Sequence, residues 1–100
     1  MKFELKDEEL ESVAGGYQES DYPVQPGQFF CEKGDENTVD PGLIYYAKRF
    51  ETNNGVLYIR GKMLWLNSDR NMYQSAGCSG CFEPHEIAPA QLSGKYELYY

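Results

Sequence analysis

The sequence predicts a small, mainly β protein: an antiparallel sheet or barrel of about five short strands, preceded by a short amphipathic N-terminal helix. Three observations carry this. Asn54-Gly55 stands between 43–50 (LIYYAKRF) and 56–59 (VLYI), two runs rich in aromatic and β-branched residues, which is the strongest short-range hairpin signal. Turn residues recur about every ten positions along the chain. Aromatic residues make up 15% of the chain, nine of them Tyr, which suits a pleated, half-buried surface and not a disordered tail.

Residues 1–16 (MKFELKDEELESVAGG) read as an acidic helix. With Asp7, Glu8, Glu9 and Glu11 facing water, Phe3, Leu5, Leu10 and Val13 fall within about 160° of arc on one side. Gly15 and Gly16 then remove two successive side chains and release the backbone from the helix. Residues 17–28 (YQESDYPVQPGQ) are polar, contain Pro23, Pro26 and Gly27, and read as a linker. Phe29-Phe30-Cys31 is a short strand, and 32–42 is acidic turn chemistry. The competing α+β reading places a helix over 40–52, with Asp40-Pro41 as its N-cap and first helical position. Gly61 permits a bend or bulge before a strand at 63–66. Asn67-Ser68-Asp69 forms a turn and Met72-Tyr73 a brief strand. Residues 76–89, with Gly77, Gly80, Pro84 and Pro89, read as an irregular loop, and 95–100 (KYELYY) as a terminal strand. The domain organisation is therefore 1–16, a linker at 17–28, and a β-rich domain over 29–100.

The opening stretch resembles the leader of double-glycine, bacteriocin-type precursors. Leu5, the Glu9-Leu10 pair, Val13 and Gly15-Gly16 stand at the matching positions, whereas Lys6 replaces the small hydroxyl residue usual in that family. The resemblance covers residues 1–16 only. It implies recognition by the peptidase domain of an ABC exporter, cleavage between Gly16 and Tyr17, and secretion of residues 17–100. Physical chemistry supplies an independent reason for the pattern. A slot closed over the two residues before the scissile bond rejects any Cβ. An aliphatic stripe laid in a groove supplies affinity at a distance from the chemistry. The alternative is a small intracellular zinc-knuckle-like interaction module that keeps its N-terminal helix, with Gly15-Gly16 as an ordinary C-cap.

The chain carries a net charge of −7; Lys2 and Lys6 against Glu4, Asp7, Glu8, Glu9 and Glu11 place −3 in residues 1–16 and leave −4 for the rest. No basic run occurs, which argues against nucleic acid and anionic membrane surfaces as partners and against a cationic membrane-lytic peptide. No segment has the eighteen or so apolar residues of a transmembrane helix, and there is no conventional secretory signal. The partner of the mature domain is then an unidentified extracellular one.

Cys31, Cys78 and Cys81 make an odd count. A disulfide from Cys31 to Cys78 or Cys81 would close a loop of nearly fifty residues and add about 4 kcal/mol in the chain-entropy model, far more than a Cys78–Cys81 bridge. The alternative is zinc: Cys78-Ser79-Gly80-Cys81 has knuckle spacing, His85 follows, and Cys31 would complete a tetrahedral set, with Glu83 and Glu86 as nearby spare oxygens. A dithiol redox site is disfavoured because Pro84 crowds Cys81 where a helix would be needed. Ser75, Ser79 and Ser93 near the cysteines admit thioether modification, though the aromatic strands look made to fold unaided. No Ser-His-Asp set and no phosphate loop is present, so the expectation is a non-enzyme without a cofactor.

Overall fold

The structure, a computed structural model, describes residues 16–100. The expected N-terminal helix, and with it Leu5, Glu9, Leu10, Val13 and Gly15, lies outside the described residues.

The hairpin forms as its turn chemistry requires. Asn54 and Gly55 both take positive φ (54° and 78°), which the two-residue I′ turn demands and which Asn and Gly tolerate best. From this turn β2 (Leu43–Asn53) and β3 (Val56–Asn67) run antiparallel, from Asn53 opposite Val56 to Leu43 opposite Trp65. The helix considered for 40–52 is thereby excluded. Asp40, its proposed N-cap, instead takes φ 56° and accepts hydrogen bonds from the Ser93 N–H (2.9 Å) and hydroxyl (2.6 Å). The bulge expected near Gly61 falls on the facing strand. Ala47 opposes Gly61 and Arg49 opposes Arg60, so Lys48 is the extra residue, while β3 continues unbroken and absorbs the strand expected at 63–66.

β1 (Phe29–Glu32) pairs with β2. β4 (Met72–Phe82) pairs with β3 over eleven residues, where only Met72-Tyr73 was expected to be strand. Its glycines do not break it. One register shift sets Ala76, Gly77 and Cys78 against Met63, with Gly77 at φ 83°. The rest of the expected loop at 76–89 contains a 3-10 turn (Pro84–Glu86) and β5 (Ile87–Pro89), which pairs with β1. β6 (Glu97–Leu98) runs parallel to β4. The result is a mixed, open six-stranded sheet in the order β5-β1-β2-β3-β4-β6, antiparallel except for its last pair, and not a closed barrel.

Adjacent strand residues point to opposite faces, and the two hydrophobic clusters divide along that rule. One contains Phe30, Tyr45, Ala47 and Ile59; the other contains Ile44, Leu64 and Tyr73, flanked by Phe29, Tyr46 and Leu66. Residues 17–24 close the first face. The segment expected as a linker has no strand, yet Tyr22 and Val24 are buried in the core, and the Tyr22 hydroxyl donates to the carbonyls of Leu57 (2.6 Å) and Phe82 (3.2 Å). Residues 90–98 close the second face through Ala90, Leu92, Tyr96 and Leu98, while the Tyr73 hydroxyl donates to the Pro41 carbonyl (2.6 Å).

Gly61 sits at the centre of the first cluster. A Cβ there would overlap the Phe30 ring and come to 3.0 Å from the Tyr45 Cβ. The gap lets Phe30 lie against the sheet, stacked on Tyr45 (centroids 5.2 Å, planes 16° apart) and edge-on to Phe82 (5.4 Å). At Gly80, by contrast, an added Cβ would meet the Phe82 ring at an ordinary 3.5 Å. Gly61→Ala is therefore expected to cost about 1–3 kcal/mol and to lower the thermal midpoint by roughly 5–20 °C, with Gly80→Ala well below that. Paired thermal melts check the contrast, and equal effects would refute it.

Candidate functional site

Three regions bear on function: the Gly16–Tyr17 junction, the cysteines with His85, and the charged row on β2 and β3. At the junction the Tyr17 ring is half-buried against Tyr22 (centroids 6.4 Å), and its hydroxyl donates to Glu83 Oε1 (3.1 Å). Burial, and then the bonded carboxylate, hold this phenol above the ordinary tyrosine range. Tyr17 is thus already a packed residue of the sheet domain, one peptide bond beyond the glycine pair.

The cysteines are all free. No two of them stand at disulfide distance, for a geometric reason in each pairing. Cys78 and Cys81 are three residues apart on a strand, and so point to opposite faces. The Cys78 thiol lies 3.7 Å from the Met63 sulfur beside the first cluster, whereas the Cys81 thiol lies 3.6 Å from Glu51 on the other side. Cys31 is fully buried on β1, its thiol facing the Pro89 carbonyl at 3.9 Å. Two strands separate β1 from β4, which sets their backbones some 14 Å apart, against a Cα limit of about 7 Å for a disulfide. Burial, reinforced by nearby carboxylates, raises the pKa of Cys31; desolvation also raises Cys81, with Arg60 opposing.

Nor are the residues expected to hold zinc brought together. His85 stands exposed in the Pro84–Glu86 turn, its Nδ1 3.5 Å from Glu83 Oε1. It lines an open depression of about 480 Å³ with Glu32, Lys33, Phe82 and Glu86. Phe82 belongs to the first face, so Cys81 points away from this depression. Among the described residues no three His, Cys, Asp or Glu side chains come together as a metal site. Beside the depression the Tyr45 hydroxyl donates to Glu32 Oε2 (3.1 Å), and burial, reinforced by that carboxylate, pushes its pKa up to about 12. Thiol titration of the native chain is expected to find two fast-reacting groups, Cys78 and Cys81, with Cys31 reacting only on unfolding. Fewer than three thiols in the unfolded, unreduced protein would contradict this assignment.

The charged row was not foreseen in the sequence. Arg49 (2.6 Å) and the Arg60 Nε (2.6 Å) both donate to Glu51 Oε2, and the Arg60 Nη1 reaches the Ser79 hydroxyl (2.7 Å). The Asn54-Gly55 register brings these together: Arg49 faces Arg60 across the hairpin, and Glu51 sits one side-chain step along the same face. The bond from Arg60, with the charges of Arg60 and Arg49, lowers the Glu51 carboxyl from 4.5 to about 2. Because the folded-state pKa is depressed, the row's contribution to stability is complete above pH 4.5 and is lost as pH falls towards about 2. Glu51→Gln is expected to be less stable than the parent at neutral pH, with the gap narrowing over that acid window. Denaturant melts as a function of pH measure it, and a gap unchanged at low pH would count against the assignment.

Two apolar patches also lie open. Leu43 and Trp65 are paired in register and exposed (43% and 38%) at one end of the first face. On the second, Tyr100 stacks on Tyr46 (4.4 Å) and meets Phe29 edge-on (5.3 Å). No described helix is long and apolar enough to cross a membrane. The chain matches no family model, no curated protein and no solved structure.

Proposed function

We propose that this chain is a double-glycine, bacteriocin-like precursor, exported by a peptidase-bearing ABC exporter and cleaved between Gly16 and Tyr17. One observation carries the reading. Six positions of the leader pattern (Leu5, Glu9, Leu10, Val13, Gly15 and Gly16) stand in order, and the next residue, Tyr17, is packed into a β-rich body. Cutting there leaves the contacts of Tyr17, Tyr22 and Val24 intact, so the released domain keeps the segment that closes its first face.

In this reading Leu5, Leu10 and Val13 dock in the exporter's groove, Glu9 makes a polar contact, and the glycine pair enters the slot. The released domain retains −4. Its acidity disfavours nonspecific lysis of anionic membranes and favours a specific extracellular partner. The exposed Leu43–Trp65 pair, and exposed Tyr100 over half-buried Phe29 and Tyr46, are the surfaces such a partner would bury.

Intact-mass analysis of culture medium is the test, with a species beginning at Tyr17 expected. Gly15→Val fills the slot and is expected to abolish processing; Leu10→Asp weakens docking and is expected to slow it by tenfold or so. A full-length protein confined to the cytosol, or normal trimming of both variants, would sink the proposal.

A further inference from the structure

Beyond Tyr73, one edge of the sheet is open. β6 covers β4 only at Met72 and Tyr73, and among the described residues no strand pairs with the outer side of 74–82. This stretch (QSAGCSGCF) contains no charge and no proline, and Ser75, Ala76, Gly77, Cys78, Ser79 and Cys81 are exposed. Open edges are ordinarily blunted by Lys, Pro or a covering segment, because their unpaired N–H and C=O groups template another strand. Here the Gly77 bulge interrupts the edge, but the ladder is regular again from Ser79 to Phe82.

The hairpin register says which groups are free. In a two-residue I′ hairpin the flanking residues exchange hydrogen bonds, so Val56 and every second residue after it turn their polar groups towards β2. Leu57, Ile59 and Gly61 therefore turn theirs towards β4. Two hydrogen bonds agree: the Leu57 carbonyl, past the end of β4, takes the Tyr22 hydroxyl, and the Leu66 N–H bonds the Gly42 carbonyl on the β2 side. Ile59 opposes Phe82 and Gly61 opposes Gly80, so Phe82 and Gly80 face inward while Cys81 and Ser79 face outward. The same alternation makes the Tyr73 carbonyl outward, and it does accept the Tyr99 N–H (2.9 Å).

We propose that this edge pairs with the same edge of a second copy of the chain, antiparallel about a two-fold axis at Gly80. Ser79 of each copy then lies opposite Cys81 of the other, and the outward N–H and C=O groups of all four residues are satisfied. The neighbouring registers do worse. Centring on Cys81 would oppose Ser79 to Glu83, whose N–H is already given to Glu86 (2.8 Å). Centring on Ser79 would oppose Cys81 to Gly77, whose N–H is given to Ser75 in the bulge (3.1 Å). At Gly80 the two backbones make their closest approach, about 4.5 Å between Cα atoms, where the residue has no side chain to obstruct it. The occupant is a second copy because the join is self-complementary under the two-fold. It is also uncharged, so a chain of net −7 meets itself there without like charges.

The join is short, which predicts a weak dimer with Kd in the roughly 0.1–1 mM range. Sedimentation equilibrium of the full chain under reducing conditions is expected to show reversible, concentration-dependent dimer. Ser79→Pro removes an outward N–H without touching the β3 ladder, and is expected to weaken the dimer at least about tenfold. A second measurement does not depend on that variant folding well. One chain carries Cys78→Ser, Ser79→Cys and Cys81→Ser; the other carries Cys78→Ser alone. In air, with molecular oxygen taking the two thiol hydrogens to give water, a disulfide between Cys81 of the second and the introduced thiol of the first is expected in the mixture. It should form at least about tenfold faster than either chain cross-links with itself, because like thiols lie on the diagonal. A monomer at all concentrations, a dimer insensitive to Ser79→Pro in a folded variant, or equal cross-linking alone and mixed would each overturn the proposal.

Discussion

The two-residue turn at Asn54-Gly55 sets, two residues at a time, where every polar group and side chain of β3 points. Its positive φ angles twist the strands in the sense that lets a long hairpin persist, and β2 and β3 stay paired for eleven and twelve residues from it, with one register shift. A slip of one residue would send Tyr45 and Ile59 to the face of Ile44 and Leu64. Lys48 is the one place where the count changes, and the change is what keeps both faces apolar. Ala47 remains beside Phe30 and Tyr45, while Phe50 beyond the bulge still packs on the same cluster. The turn and the bulge together define which side of the sheet each closing segment must cover.

Because the faces are fixed, the chemistry of the cysteines is fixed as well. A CxxC spacing gathers two thiols when the backbone is a turn or a helix end; on a strand it separates them. Cys78 goes to the Met63 side and Cys81 to the Glu51 side, and no adjustment of rotamers brings them together. The Arg49–Glu51–Arg60 row is the converse case. Residues from two strands, unremarkable in the sequence, meet because the hairpin places them on one face in one row.

What was legible in the sequence follows the range of the interactions concerned. The hairpin, the β1 strand and the overall β class rest on local chemistry: an Asn-Gly turn and short aromatic, β-branched runs. β4 was not legible beyond Tyr73 because its outer half is an exposed edge with neither apolar alternation nor bulk, and its glycines read as breakers. In the sheet Gly80 is an ordinary member of the ladder opposite Gly61, and Gly77 marks a bulge within the strand. Tyr22 and Val24 were hidden by polar neighbours and two prolines. Their burial depends on a face of the sheet assembled from strands that follow them by as many as sixty residues, as the Tyr22–Phe82 bond shows. The zinc set rested on spacing alone, and a strand over 76–82 sends Cys78 and Cys81 to opposite faces. Tyr17 gave no sign of its role except its place after two glycines.

A domain of this size is often helped by a crosslink, and among the described residues the three cysteines are free. It relies on aromatic burial placed on both faces of one sheet. Phe30, Tyr45 and Phe82 interlock over the gap at Gly61, and Tyr73 with Tyr96 does the same on the reverse. Three of the tyrosines, Tyr22, Tyr73 and Tyr45, spend their hydroxyls on the carbonyls of Leu57, Phe82 and Pro41 or the carboxylate of Glu32. The Tyr22 bonds tie the first closing segment to the ends of β3 and β4, and the Tyr73 bond ties β4 to the chain entering β2. The terminal segments are therefore structural members of the sheet. A chain beginning at Tyr17 keeps the cover of the first face, whereas one beginning after Val24 would lose the contacts of Tyr17, Tyr22 and Val24.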